Sequence, residues 1–77
     1  MKPRAWLDYT GRHLYLRSGR KWYEYDVGYG PWQDAEPAHA SLAWMREYAY
    51  ELQPREAAKL EGTYLQSYPK RPSLMAR

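Results

Sequence analysis

Three short runs near the start of the chain alternate apolar and polar side chains: residues 4–9 (RAWLDY), 13–17 (HLYLR) and 22–27 (WYEYDV). Alternation with period two sends neighbouring side chains to opposite faces, so each run predicts a strand. "TGRH" separates the first two runs and "SGRK" the next two, and Gly11 and Gly19 supply the positive φ that a tight hairpin turn needs. The pattern predicts a three-stranded antiparallel meander. On it, Ala5, Leu7, Tyr9, Leu14, Leu16, Tyr23, Tyr25 and Val27 share a largely apolar face, and Trp6, Asp8, His13, Tyr15, Arg17, Trp22, Glu24 and Asp26 share a mixed one.

The period changes downstream. Gly28, Gly30 and Pro31 end the third run, and "GYGPWQDAEP" is expected to be a loop with two aromatics of its own, Tyr29 and Trp32. Ala38, Leu42, Met45, Ala49 and Leu52 then recur at helical spacing, which predicts a helix over about 37–52, with Asp34 or Glu36 as cap and Pro37 in its first turn. Pro54 either kinks this helix or opens a second one over about 54–67, in which Ala57, Leu60 and Tyr64 share a face. The expected fold is α+β: the meander covered on one face by one long or two short C-terminal helices. It forms a single small domain over residues 1–68, followed by a flexible basic tail, "PKRPSLMAR", at 69–77.

Composition sharpens the question of the core. The chain has 77 residues with eight Leu, one Val, no Ile and no Phe, against nine Tyr and four Trp. So small a domain has to bury most of its rings, leaving a few for a partner. The absence of cysteine excludes a disulfide framework and thiolate metal sites. No apolar run follows the basic start "MKPRAWLDYT", so neither a signal segment nor a membrane span is expected, and the reading is of a cytoplasmic protein.

The net charge of +3 conceals a segregation: residues 1–21 carry +5, residues 22–61 carry −5, and the tail adds three basic side chains. Such a division serves either solvated faces that attract each other or a basic patch facing a partner. Little chemistry is legible. His13 and His39 show no catalytic or metal-ligand spacing and are expected to be surface or capping residues. Asp8, Glu24 and Asp26 are expected to pair across strands with Arg4, Arg17 or Lys21. "GYG" lacks the lysine and the strand-loop-helix context of a phosphate loop. No enzyme, cofactor or metal is expected.

Trp, Tyr and Arg together make 21 of the residues, and these types dominate interface hot spots. With one face left open, Trp6, Tyr15, Arg17 and Trp22 would form a recognition platform, joined by Tyr29 and Trp32. The function this implies is a small non-enzymatic protein-binding module, an inhibitor or adaptor that occludes a site on a larger protein, of the kind phages and mobile elements use against host defence. The alternative is single-stranded nucleic-acid binding, with bases on Trp6, Tyr15 and Trp22 and phosphates on Arg4, Arg12, Arg17, Arg20 and Lys21. The carboxylates of residues 22–61 count against it, because they repel a phosphate backbone. A homodimer is a third outcome, since a marginal domain can bury exposed rings against its own copy.

Overall fold

A computed structural model describes residues 2–62. The expected meander is present as β1 (Arg4–Asp8), β2 (His13–Ser18) and β3 (Lys21–Asp26), paired antiparallel with Trp6 opposite Tyr15, Leu16 opposite Tyr23 and Arg17 opposite Trp22. Gly11 and Gly19 sit in the two turns at φ +78° and +65°, a region that a Cβ disfavours. Two short strands extend the sheet. β4 (Gln33–Asp34) pairs with β3, and β5 (Ala49–Glu51) pairs with the far edge of β1, giving the order β4-β3-β2-β1-β5.

The fold is α+β, as the pattern predicts, but the segment expected to be one helix over 37–52 divides into three pieces. Pro37–His39 form a 3-10 turn, α1 runs over Leu42–Tyr48, and Ala49–Glu51 become β5. Ser41 causes the first break: its backbone is extended and its hydroxyl accepts a hydrogen bond from the Trp44 amide at 3.0 Å, capping α1. The open edge of β1 causes the second, because "YAYEL" alternates as well as it spirals and finds a strand to pair with. Pro54 separates the helices, opening α2 (Pro54–Leu60) at its first turn. Residues 63–67 of the predicted second helix and the tail at 69–77 lie outside the described residues.

This path puts one helix on each face of the sheet. On the apolar face, Ala57 of α2 packs with Ala5, Leu16 and Trp32, flanked by Leu14, Tyr23, Tyr25, Leu52 and Leu60. On the mixed face, Met45 of α1 packs with Trp6, Tyr15 and Ala49, flanked by Trp22 and Trp44. The chain leaves β4, crosses under the mixed face as the 3-10 turn and α1, reaches the opposite edge as β5, and returns over the apolar face as α2. The face expected to stay open is therefore roofed.

Candidate binding surfaces

The roof changes what the predicted platform offers. Trp6, Tyr15 and Trp32 retain 4%, 2% and 3% of their surface, too little to offer a ring face to a partner. The correction has a simple cause: these rings are the largest apolar material in a chain with one Val and no Ile or Phe, so α1 is spent on burying Trp6 and Tyr15 while Trp32 joins the core beside α2. Trp22 is half-buried and stacks on Trp6 at 5.2 Å between centroids. The Arg17 guanidinium lies 5.6 Å from the Trp22 ring and that of Arg4 lies 5.2 Å from Trp6, so the four side chains make an Arg-Trp-Trp-Arg ladder. Arg17 Nε is buried with no hydrogen-bond partner among the described residues, which leaves the ring contact as its main compensation.

The basic side chains are divided by the strand ends. Arg4, Arg17, Arg20 and Lys21 gather at the β2–β3 turn end, while Arg12 lies at the other end, in the β1–β2 turn. Arg4 is also engaged: its guanidinium donates to both carboxylate oxygens of Glu51 at 2.8 and 2.9 Å. That hydrogen bonding raises the Arg4 pKa and lowers that of Glu51.

Sequence reasoning paired Asp8, Glu24 and Asp26 with Arg4, Arg17 or Lys21; the structure pairs them with histidines and backbone instead. Asp8 is buried at the foot of the first hairpin and accepts from Thr10 Oγ1, from the backbone amides of Arg12 and His13, and from His13 Nδ1 at 3.1 Å. Burial by itself would push its carboxyl up, but these hydrogen bonds outweigh it and hold the group below the usual carboxylate range. His13 Nε2 also lies 3.9 Å from Asp26. His39 faces Glu24 at 3.6 Å and packs on Trp44 at 4.4 Å, which docks the 3-10 turn onto the sheet. Between the two histidines the Tyr15 phenol is pushed up to about 12, first by burial and then by Glu24 and Asp8. These contacts close a turn and anchor a helix. Among the described residues no group of three or more His, Asp or Glu is placed to hold a metal ion, and no helix is long and apolar enough to cross a membrane.

What remains accessible lies at the two edges. At the β4 edge, the loop between β3 and β4 carries Val27 and Tyr29, 43% and 76% exposed. Its base is fixed from both sides. Tyr29 N donates to Asp26 O at 2.8 Å, Gly30 packs so tightly on Tyr25 that an added Cβ would come within 2.5 Å of Cε1, and Trp32 buries itself against Tyr25 at 5.3 Å. At the β5 edge, Tyr9 and Tyr50 touch at 5.9 Å and remain 63% and 49% exposed, while Tyr48, 52% exposed at the end of α1, lies against Trp44 at 4.9 Å. Sequence reasoning named Tyr29 and missed Tyr9, Tyr48 and Tyr50: it assigned Tyr9 to the core face and Tyr50 to a helix, and it placed Tyr48 in the helix where the structure also has it, without reading it as exposed.

With known protein families, curated proteins and solved structures alike, comparison of this chain finds no match.

Proposed function

We propose that the protein is a non-enzymatic protein-binding module of the cytoplasm, an inhibitor or adaptor that occludes a site on a larger protein by inserting the loop between β3 and β4. The observation that carries this reading is Tyr29: three-quarters of its surface is free, yet it stands on a loop pinned by Trp32, Gly30 and the Asp26 carbonyl. A large amphipathic ring held on a fixed base loses little conformational entropy on binding, which is what makes such a side chain an effective anchor. Trp32, expected to touch the partner, serves in this reading as the buried support of the ring that does. The base-stacking alternative loses support, since Trp6 and Tyr15 have no free face and Trp22 is covered by Trp6 and Arg17.

The test is site-specific photo-crosslinking. A benzophenone side chain at position 29, introduced into the protein in its source cells, is expected to yield one discrete crosslinked protein, and the same probe at exposed Ala58 on α2 is expected not to. With the partner in hand, Tyr29→Ala should weaken binding by about 2 kcal/mol or more while leaving the melting temperature nearly unchanged. Identical products from both positions, or none from position 29, overturn the reading.

A further inference from the structure

The other edge of the sheet points to a second occupant. Among the described residues β5 is paired on one side only, with β1. Tyr9 N donates to Tyr48 O and Leu52 N to Ala5 O, so residues 48 and 52 turn their backbone toward β1. Antiparallel alternation then turns the backbone of Ala49 and Glu51 outward. The Ala49 amide is already used by Met45 O, which leaves the Ala49 carbonyl and both backbone groups of Glu51 facing away from the sheet.

We propose that this edge pairs with the same edge of a second copy, about a two-fold axis at Tyr50, to make one continuous ten-stranded sheet. The register follows from charge. Placing Glu51 opposite Glu51 would set like charges side by side, which is unfavourable, whereas placing Glu51 of one copy opposite Ala49 of the other lets each Glu51 amide donate to the facing Ala49 carbonyl. Paired residues share a face, so the Glu51 side chain of each copy enters the cleft of the other. That cleft, about 310 Å³, is lined by Arg4, Arg46, Ala49 and Glu51 among others. Arg46 makes no ion pair among the described residues, and the incoming carboxylate supplies one. Glu51 loses nothing by it, because a carboxylate can serve Arg4 of its own chain and Arg46 of the other together. On the opposite face, Tyr50 meets Tyr50 of the other copy with Tyr9 alongside each, burying rings that the single chain leaves half exposed. A bare, unpaired strand edge is a liability, and a self-complementary one is covered by the molecule's own copy. The arrangement leaves the two Tyr29 loops free at the far ends of the joined sheet, so it is independent of the function proposed above.

The test uses sedimentation of the unmodified protein and a single introduced thiol. The chain has no cysteine, so Tyr50→Cys carries one reactive sulfur. Facing residues of a non-hydrogen-bonded antiparallel pair lie about 4.5 Å apart at Cα, within the range of a disulfide. Sedimentation is expected to show a concentration-dependent dimer. Under mild oxidation folded Tyr50→Cys should crosslink at least ~10-fold faster than Tyr29→Cys, whose position is the more exposed of the two. Arg46→Glu, which removes no ion pair seen among the described residues, should stay folded by circular dichroism and raise the dimer dissociation constant ~10-fold or more. A monomer at all concentrations, or a dimer that crosslinks no faster through position 50 than through position 29, overturns the proposal and leaves the edge open to a strand from another protein.

Discussion

Asp8 alternates onto the same face as Trp6, a position where a carboxylate has to be paired or stay wet, and the structure resolves this with four donors drawn from Thr10, Arg12 and His13. Its folded pKa is depressed, so the stability it contributes is present above its unfolded value near pH 4 and is lost as pH falls through the folded value. Asp8→Asn should therefore cost about 1–3 kcal/mol at neutral pH and flatten the acid limb of the stability curve below about pH 4, measured by denaturant melts across pH. Trp6 makes the complementary point. Exposed on a platform, its removal would leave the fold intact; buried under Met45, it is part of the core. Trp6→Ala should cost about 3–5 kcal/mol and unfold or nearly unfold the domain in a thermal melt, whereas Tyr29→Ala should shift the midpoint little.

At the scale of elements, α1 and β5 depend on two residues that local propensity undervalues. Ser41 supplies the only side-chain cap seen on either helix among the described residues, and it stops the 3-10 turn from continuing into α1. Ser41→Ala should cost about 1 kcal/mol and release Trp44 and His39 together, which a loss of near-ultraviolet circular dichroism from the Trp44 environment would register. Ala49 is the second. It ends α1 by donating to Met45, begins β5 by pairing with Asp8, and buries its methyl under Trp6, so a single residue is shared by a helix, a strand and a core.

For the whole molecule the layering predicts a gradient of protection. β2 lies at the centre of the sheet with a helix on each face, and Tyr15 and Leu16 on it are 2% and 0% exposed. β4 and β5 are two and three residues long and lie at the edges. Native-state hydrogen exchange should find the slowest amides in β2 and its neighbours, with β4 opening at much lower free energy. Equal protection across the sheet would mean that the two faces do not form separate packed layers.

The sequence by itself determined the meander, its two glycine turns, the α+β class and the assignment of each side chain of β1, β2 and β3 to a face, because period-two alternation and positive-φ turns are local properties of the chain. It also marked where helices can begin, through Pro37 and Pro54. Only the tertiary structure decided which faces are covered. Residues 49–51 bury the same side chain in a helix or a strand, and the choice fell to the unpaired edge of β1, a partner some forty residues distant in the chain. Once that edge drew β5 across, α1 had to lie over the mixed face, and Trp6 and Tyr15 passed from candidate contact residues to core, while Trp32 did so on the other face beside Ala57 of α2. The candidate surface then shifted to Tyr29, whose exposure depends on what Trp32 and Gly30 pack against rather than on any pattern in its own neighbourhood.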